Sequence, residues 1–536
     1  MQLPFQELEL SAQDLIPWGD RQAKIRWNAF QNRPARGQLI MVSAMSPSPA
    51  GEGKTTVAIG LVDALRRQGK RAVAALRQPS MGPVFGMKGG GTGGGQAKLV
   101  PDTSINLHFT GDLHAITSAH NLLSAVLDNH LQRVSLKLDP RRVSWPRVLD
   151  MNDRALRNCV VGLGGPSHGM PRQDRFDITA ASEIMAILAL SNHWEHLRQR
   201  LSQIVVGTTR EGEAVQAHQL GVAGAMAALL RDALLPNLVQ TLEGSPALVH
   251  CGPFANIAHG TSSLVATRVG LSGSDFVVQE AGFGADLGGE KFLNIYARQL
   301  GQSPALAVVV ATLRGIKYHG GVASAQLHQL DSAALQRGLA NPLNHLRRLQ
   351  RFGIPSVVAL NARAGESAEE HKLVLDFLRQ HECTAFLVDV FQHGGGGALE
   401  LADYVAQFRQ PAALLPSYSL IESVEDKIGK IAIGVYGADR VEYSAEAVDQ
   451  MAAIEKLGMG NAYICIAKTQ YSLSDDPRQV GVAENFALRI RQVKLAAGAG
   501  MIVPIAGEIQ TMPGLPAHPN AQHIDLTSDG TIVGLS

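Results

Sequence analysis

The feature that most constrains the fold is a glycine-rich loop between an apolar run and a run with helical spacing near the amino terminus. Gln38–Ala44 is apolar at nearly every position, as strands buried in parallel sheets are. Thr55–Gln68 carries apolar residues at helical spacing and ends before Gly69. Arg71–Leu76 is a second apolar run that predicts a strand. A strand–loop–helix–strand unit of this kind begins a doubly wound parallel sheet, so the sequence predicts an α/β fold.

Later apolar runs extend this pattern along the chain. A length of 536 residues exceeds one ordinary core. From about Leu415 the alternation of strand-like and helix-like runs is less regular, which indicates a separate carboxyl-terminal domain. We expect a doubly wound, mostly parallel sheet containing a P-loop in residues 1–300, and two smaller α/β domains in 301–414 and 415–536. The further predicted strands are Leu248–His250, Phe276–Gln279, Ala305–Thr312, Ser356–Leu360 and Ala385–Val390.

Composition excludes several classes of protein. Forty-eight Lys and Arg against 47 Asp and Glu leave a net charge of +1, so bulk charge favours neither nucleic acid nor an anionic membrane as a partner. No apolar run approaches the length of about 18 residues that a membrane span needs. The amino terminus lacks the basic-then-apolar pattern of a secretion signal. The four cysteines have no CxxC spacing, which predicts a reducing compartment, most simply the cytoplasm, without a zinc site or disulfide.

The loop after the first strand carries the residue types that bind phosphate. It reads PSPAGEGKTT over Pro47–Thr56. Backbone N–H groups of such a turn bind phosphate oxygens in front of a helix amino terminus, and Lys54 adds a positive charge. Thr55 supplies the hydroxyl that P-loops place on Mg²⁺, whereas Ser48 stands where the strict consensus has glycine. The candidates for binding ATP phosphates are Ser48, Pro49, Ala50, Gly51, Glu52, Gly53, Lys54, Thr55 and Thr56.

A second glycine-rich segment follows the second predicted strand directly, from Leu76 to Gly95. Open α/β sheets bind ligands at the carboxyl ends of their strands. Arg77 presents a planar group there that suits a phosphate or carboxylate, with a surface ion pair as the alternative. The chain has 55 glycines, and their place in apolar, patterned segments favours backbone brought close to a ligand. Composition leaves open whether this run is a flexible lid or a packed segment.

Long blocks of the chain, in the same order, resemble the formate–tetrahydrofolate ligases, also called formyltetrahydrofolate synthetases. The resemblance extends from about residue 14 to 527 and includes both glycine-rich segments. The other blocks that carry it are Asp102–Asn121 (with INLHFTGDLHAITSAHN), Val161–Ile187, Asn237–Ala266, Gln279–Lys291 (QEAGFGADLGGEK), Val310–Gly321 (VATLRGIKYHGG), Ala467–Pro477 (AKTQYSLSDDP) and Ala497–Pro516.

The resemblance implies a ligase that joins formate to tetrahydrofolate with ATP, giving 10-formyltetrahydrofolate, ADP and phosphate. Because formate is a poor electrophile, γ-phosphoryl transfer would first make formyl phosphate, with Lys54 and Mg²⁺ neutralising charge. Arg77 would hold formyl phosphate while N10 attacks, and Lys54, Arg77 and loop N–H groups are candidate donors to the oxyanion. The family also implies a homotetramer and a monovalent cation, K⁺ or NH₄⁺, for which Asp112 is a candidate ligand.

The chain departs from the family mainly where the folate is expected. Asn361–Ala364 (NARA) replaces a common Asn-Arg-Phe-Pro, and Phe391–Gly397 (FQHGGGG) replaces a common Trp-Ala-Lys-Gly-Gly-Glu-Gly. These segments are expected to hold the pterin between aromatic faces. The folate-binding candidates are therefore Arg363, which can stack by cation–π geometry, Leu387 and Phe391.

Two interpretations of the formyl acceptor stay open. The phosphate-handling residues match the family while the pterin-handling residues differ, so the altered pocket is either another clamp for tetrahydrofolate or a pocket for a different acceptor, such as dihydrofolate or another amine. Gln78 and Gln96 also stand where the family usually has glutamate and tyrosine. A non-catalytic nucleotide-binding relative is the alternative from another class, and the intact Lys54, Thr55 and Arg77 argue against it.

Other polar residues in the matching blocks are candidates either for lining the site or for building its loops. The sequence alone does not separate these two roles. The residues are His108, His114, Asn256, His259, Glu280, Asp286, Lys291 and Lys468–Tyr471, whereas Phe283 is a candidate either for the core or for the lining of the folate channel.

Overall fold

The centre of the fold is one large sheet with helices on both faces. The structure is a computed structural model and describes residues 3–87, 90–133 and 136–535. Its strands, in chain order, are β1 (Leu15–Pro17), β2 (Ala23–Ile25), β3 (Gln38–Ala44), β4 (Ala72–Leu76), β5 (Gly93–Gly94), β6 (Ala97–Val100), β7 (Leu138–Val143), β8 (Arg147–Leu149), β9 (Cys159–Val161), β10 (Arg172–Asp174), β11 (Phe176–Ile178), β12 (Val205–Thr209), β13 (Ala214–Gln216), β14 (Asn237–Thr241), β15 (Pro246–Val249), β16 (Phe276–Glu280), β17 (Leu306–Ala311), β18 (Ser356–Asn361), β19 (Ala385–Val388), β20 (Arg440–Tyr443), β21 (Tyr463–Ile464), β22 (Ala487–Ala496), β23 (Met501–Ala506), β24 (Asp525–Leu526) and β25 (Ile532–Val533). Its α-helices are α1 (Lys54–Arg67), α2 (Met81–Phe85), α3 (Asp102–Asn106), α4 (Asp112–Arg133), α5 (Glu183–Ala189), α6 (Trp194–Ser202), α7 (Ala223–Leu229), α8 (Leu264–Gly273), α9 (Ala297–Leu300), α10 (Leu313–His319), α11 (Ser332–Gly338), α12 (Ala340–Arg351), α13 (Ala368–Gln380), α14 (Val390–His393), α15 (Leu399–Val405), α16 (Val424–Ile431) and α17 (Ala445–Lys456).

Parallel strands form the middle of the large sheet. Among the described residues its main path has the order β1-β2-β14-β15-β4-β16-β3-β17-β18-β19, while β6 pairs with β14 and β5 with β6. All neighbours from β15 to β19 are parallel, whereas β14, β2 and β1 are antiparallel. The prediction of an α/β fold with a large, mostly parallel sheet is therefore confirmed.

Strand β3 shows why both faces of this sheet are covered. Leu39 and Met41 belong to the hydrophobic core on one face, and Ile40 and Val42 belong to the core on the other face, where α1 packs. This alternation follows from the pleat of a strand, which turns successive side chains to opposite faces. A strand buried on both faces has no polar face, which explains the continuous apolar run in the sequence.

The amino-terminal forty residues differ from the prediction of an irregular or helical lead-in. They contain short 3₁₀ turns, but β1 and β2 form a hairpin that joins the antiparallel side of the large sheet through β14. Each of these two strands is three residues long. A strand of that length is too short to show a periodic pattern, so hydrophobic periodicity does not predict it.

The large sheet crosses the predicted domain boundary at residue 301, whereas the predicted domain 415–536 has a sheet of its own. Strands β17, β18 and β19 lie in the predicted 301–414 domain, and they extend the large sheet on from β3. Within 415–536, β20, β22, β23 and β21 form a separate four-stranded sheet. The division into three domains stays a prediction, with the main sheet common to its first two parts. No helix in the described ranges has both the length and the apolar character to cross a bilayer.

The parallel strands bring several sequence-distant residues to one edge of the sheet. Because β3, β4, β16, β17 and β18 are parallel, their carboxyl ends meet at the same edge. The glycine-rich loop follows β3, Arg77 follows β4, Glu280 ends β16, Thr312 follows β17 and Asn361 ends β18. The candidate site is built on this edge, as is usual in open α/β sheets.

Candidate active site

The loop between β3 and α1 is folded around a buried glutamate. Ser48 donates to Glu52 Oε1 through both its backbone N (2.7 Å) and its Oγ (2.9 Å). Glu52 is only 2% exposed, and this burial raises the pKa of its carboxyl group against the opposing charge of Lys54. Gly53 precedes α1 with a φ of 78°, in the left-handed region that favours glycine. The loop is therefore fixed from inside by one acidic side chain.

The carbonyl groups of the same loop are held from outside by the residues at the end of β18. Asn361 Nδ2 donates to the Glu52 carbonyl oxygen (3.0 Å). Arg363 Nη2 donates to the carbonyl oxygens of Ala50 (3.0 Å) and Gly51 (2.7 Å). Three consecutive carbonyl groups of the loop thus have partners in one segment.

The junction between β3 and the loop is fixed by two other helices. Ser46 N donates to Asn341 Oδ1 (3.1 Å), and Ser46 Oγ lies 3.0 Å from His345 Nε2 on the same helix, α12. His319 Nε2 of α10 donates to the Ser46 carbonyl oxygen (2.9 Å). Burial lowers the pKa of His345 to about 4, so the His345 ring beside Ser46 is uncharged at neutral pH.

A glutamate joins the start of α1 to Arg77. Thr55 Oγ1 donates to Glu280 Oε2 (2.7 Å), and Arg77 Nε donates to Glu280 Oε1 (3.2 Å). The side chain of Arg77 is 17% exposed and that of Glu280 is 4% exposed. Glu280 therefore links Thr55, at the start of α1, to Arg77 at the end of β4.

Lys54 lies in the electrostatic field of this group. Burial lowers the pKa of the Lys54 ammonium, the negative charges of Glu52 and Glu280 oppose that shift, and the positive charge of Arg77 adds to it. Two carboxylates and two cations are thus concentrated at the amino end of α1. The phosphates of a nucleotide would meet Lys54, Arg77 and the N–H groups at the start of the helix.

The second glycine-rich segment is packed over the part that the structure describes. A Cβ at Gly93 would clash with the Ala97 carbonyl oxygen, and one at Gly95 would clash with the Phe391 carbonyl oxygen. Gln96 N donates to that same oxygen of Phe391 (2.9 Å). The run from Gly91 to Gly95 is therefore a close-approach segment, whereas residues 88 and 89 lie outside the described residues.

The three folate-binding candidates lie at the outer end of the same edge. Arg363 follows β18, Leu387 lies in the neighbouring edge strand β19, and Phe391 lies in α14 just beyond it. Leu387 is 43% exposed and Phe391 is 51% exposed. Exposed apolar side chains at this position would suit a flat aromatic ligand. Their assignment to folate stays a prediction.

Asp112, the candidate ligand of a monovalent cation, lies in a buried polar network. Its Oδ1 accepts from Lys24 Nζ (2.8 Å), and its Oδ2 accepts from Asn237 Nδ2 (2.8 Å) and Thr110 Oγ1 (3.2 Å). Lys24 is 1% exposed, so its ammonium is a buried cationic partner of Asp112. A role in cation binding stays a prediction. In the described part of the chain, no group of three or more His, Cys, Asp or Glu residues could hold a metal ion.

The other candidates from the matching blocks divide by burial. His108 and His114 are exposed. His259 is fully buried, burial lowers its pKa to about 3, and neither ring nitrogen has a hydrogen-bond partner among the described residues. Gln78 is 3% exposed and its amide atoms likewise lack partners in the described ranges.

Two of the candidate lysine side chains have buried hydrogen-bond partners. Lys468 Nζ donates to Asp286 Oδ2 (2.9 Å), and Lys291 Nζ donates to the Ala255 carbonyl oxygen. Both lysines are fully buried, so each ammonium depends on these partners.

Sequence reasoning missed the residues that support the loop. Asn361 directly ends an apolar run, so the strand-end rule that found Arg77 also applies to it. Asn341 and His345 gave no such signal, since they lie on a helix almost three hundred residues from the loop. Their contact with Ser46 depends on the packing of α12 against the sheet.

Fold and site together define an α/β protein whose parallel sheet carries a glycine-containing loop and an arginine–glutamate pair at its carboxyl edge. Comparison with known sequences assigns the family. The family model for formate–tetrahydrofolate ligase matches residues 3–536. The chain belongs to the formate–tetrahydrofolate ligase family.

Full-length relatives support the same assignment. The chain is 51% identical over 539 residues to the formate–tetrahydrofolate ligase of Nocardioides sp. (strain ATCC BAA-499 / JS614), covering 99% of this chain and 96% of the relative. It is 50% identical to that of Myxococcus xanthus, covering 99% and 97%, and 48% identical to that of Latilactobacillus sakei, covering 99% and 96%. The predicted resemblance is confirmed over nearly the whole chain.

Proposed function

We propose that the protein is an ATP-dependent ligase that activates formate as formyl phosphate and transfers the formyl group to N10 of tetrahydrofolate. The products are 10-formyltetrahydrofolate, ADP and phosphate. The observation that carries this proposal is the joining of Thr55 and Arg77 by Glu280 beside Lys54, in a chain of this family. The proposal is supported by the position of Lys54, Thr55 and Arg77 at one edge of the sheet, around Glu280.

The loop and the start of α1 would bind ATP. Backbone N–H groups at the start of α1 bind the outer phosphates, and Lys54 neutralises charge that develops on the γ-phosphoryl group during its transfer. Thr55 is the candidate ligand for the Mg²⁺ carried by ATP. The ion would neutralise part of the negative charge on the phosphate oxygens. Glu280 accepts from Thr55 and so holds this hydroxyl in place.

Arg77 would hold formate and then formyl phosphate. A guanidinium binds a carboxylate or phosphate through paired N–H groups, and Glu280 orients that of Arg77 by accepting from its Nε. When the folate amine attacks, negative charge grows on the former carbonyl oxygen. Lys54 and Arg77 are the donors available to stabilise that charge, and phosphate then leaves.

The folate would bind beside Arg363, Leu387 and Phe391. The exposed Phe391 ring supplies one stacking face, and the Arg363 guanidinium supplies a cationic surface for the other. As the family resemblance implies, we further propose a monovalent cation, K⁺ or NH₄⁺, a homotetramer and a cytoplasmic location.

The test is a panel of acceptors assayed with ATP and formate. Purified protein is incubated with tetrahydrofolate, dihydrofolate and simple arylamines, and both phosphate release and formyl transfer are measured. We expect both signals with tetrahydrofolate and an absolute need for formate. If only another acceptor is formylated, the pocket has changed. If no acceptor supports phosphate release from ATP, the ligase assignment is overturned.

A further inference from the structure

One segment at the end of β18 holds the outer side of the phosphate loop. Asn361 Nδ2 binds the Glu52 carbonyl, and Arg363 Nη2 binds the Ala50 and Gly51 carbonyls, at 2.7–3.0 Å. Both contacts with the Ala50 and Gly51 carbonyl oxygens come from the Arg363 guanidinium, so they depend on this side chain.

The direction of these bonds matters for phosphate binding. In a trans peptide the C=O of one residue and the N–H of the next point in opposite directions in one plane. Arg363 and Asn361 hold the Gly51 and Glu52 carbonyl oxygens on one side of the loop. The N–H groups of Glu52 and Gly53 therefore point to the other side. Those N–H groups, next to the amino end of α1, are the ones expected to meet a phosphate.

The charges around Arg363 support a fixed position for its side chain. Burial lowers the pKa of the Arg363 guanidinium, and the negative charges of Glu366 and Glu52 oppose this shift while Arg314 adds to it. Glu366 Oε2 also accepts from the Arg363 backbone N (3.0 Å), which anchors the segment itself. Arginine stays protonated under such conditions, so its bonds to the loop are charge-assisted.

We infer that Arg363 is a positioning residue for nucleotide binding, in addition to lining the folate site. It holds the phosphate loop in its binding conformation before ATP arrives. This inference rests on the proposed function and makes a claim that the proposed function does not make: ATP affinity depends on Arg363 when no folate is present.

The experiment measures MgATP affinity by calorimetry without formate or folate. Arg363→Gln removes the positive charge that contacts the Ala50 and Gly51 carbonyl groups. Arg363→Lys keeps the charge on a single donor nitrogen. Arg351→Gln is the matched control, since Arg351 Nη1 also donates to a backbone carbonyl, that of Gly434 (2.8 Å), outside the loop. We expect about tenfold weaker binding for Arg363→Gln, equivalent to about 1.4 kcal/mol, an intermediate value for Arg363→Lys and no change for the control.

A second readout separates positioning from general damage to the fold. The melting temperature of the ligand-free protein is expected to change equally little in Arg363→Gln and Arg351→Gln. In addition, methylguanidine in the millimolar range is expected to restore part of the ATP affinity of Arg363→Gly, because it supplies the missing donor group.

Each other result overturns the inference. If Arg363→Gln binds MgATP within twofold of the unmodified protein, the loop does not need this arginine, and the ligase proposal still stands. Equal losses in Arg363→Gln and in the control would show a nonspecific effect. If the unmodified protein binds no MgATP, the ligase proposal fails and the inference fails with it.

Discussion

At the scale of single residues, the paired charges of Lys54 and Arg77 decide whether the edge of the sheet is a catalytic site. Burial lowers the pKa of Lys54 and the positive charge of Arg77 adds to that shift, an arrangement that costs stability unless anions offset it. Glu52 and Glu280 supply part of that offset. A bound phosphate would supply more, which makes this cluster a candidate functional site.

Removing either cation is therefore expected to abolish the reaction without unfolding the protein. We predict that Lys54→Met and Arg77→Ala each lower the rate of 10-formyltetrahydrofolate formation by about 10³-fold or more, as loss of a donor to developing charge does. Product formation is followed by absorbance, and the fold is checked by circular dichroism. Near-normal turnover in both variants would contradict the roles assigned here.

Glu280 offers a sharper test because the same two strands carry a matched pair. Arg77–Glu280 joins the carboxyl ends of β4 and β16, and Arg71–Asp275 joins their amino ends (3.0 Å). Glu280→Gln removes the charge that orients Arg77 and Thr55. We expect it to raise the KM for formate by about 10- to 100-fold, the usual effect of losing bonds to a charged group.

The control for this test is Asp275→Asn, which removes the ion pair at the opposite edge of the sheet. It is expected to leave the KM for formate unchanged. Equal effects of the two substitutions would mean that the Arg77–Glu280 pair matters only for joining the strands.

At the scale of elements, the loop depends on a glycine whose backbone no other residue adopts easily. Gly53 has a φ of 78°, and a Cβ there would lie 2.6 Å from Asn361 Nδ2. Gly69 lies just beyond the other end of α1, has a φ of 76° and has open space where a Cβ would be. Both glycines have a left-handed backbone that would strain a substituted residue, and only Gly53 has the contact.

We predict that Gly53→Ala weakens MgATP binding by about tenfold or more, because the methyl group must displace Asn361 from the Glu52 carbonyl. Gly69→Ala is expected to cost about 1 kcal/mol of stability through its backbone alone and to leave ATP affinity intact. Calorimetry and thermal melting measure the two effects. A Gly69→Ala protein with equally weakened binding would show that strain in α1, and not the loop contact, is responsible.

Much of the sheet was predictable, because parallel strands carry a strong signal. Gln38–Ala44 was predicted as the strand that the structure contains, and α1 differs from its prediction by one residue at each end. Strand β14 was missed because Asn237–Thr241 mixes polar and apolar residues while being buried throughout. Pairing of Asn237 with Asp112 allows that burial, and such pairing cannot be inferred from local sequence.

The candidate site was predictable in its centre and not in its support. Arg77 follows β4 directly, and Lys54 and Thr55 begin α1 after the loop that follows β3, so local rules find them. The contacts of Arg363 with the loop and of His345 with Ser46 join elements far apart in the chain. Only the packing of helices and strands around β3 decides them, so sequence spacing carries no trace of them.

At the scale of the whole molecule, a carboxylate joins the carboxyl-terminal sheet to the rest of the protein. Glu183, at the start of α5, accepts from the backbone N of Gly498 (2.8 Å) and of Ala499 (3.3 Å), in the turn between β22 and β23. Arg200 Nη1 donates to the carbonyl oxygens of the same two residues. Burial raises the pKa of Glu183 to about 7.

This contact predicts a pH dependence of stability with a definite sign. The folded protein binds a proton at Glu183 up to about pH 7, whereas an unfolded glutamate releases it near pH 4.5. Stability contributed by this group is therefore complete below about pH 4.5 and is lost as the pH rises through about 7, by about 1–3 kcal/mol.

Glu183→Gln keeps an oxygen for both N–H groups and removes the titration, so it is expected to melt at a higher temperature than the unmodified protein at pH 8. At pH 5 the two proteins are expected to melt alike, and Glu195→Gln, an exposed change in the neighbouring helix α6, is expected to match the unmodified protein at both pH values. A Glu183→Gln protein that melts lower at pH 8 would mean that the ionised carboxylate stabilises this junction, opposite to the effect of its burial.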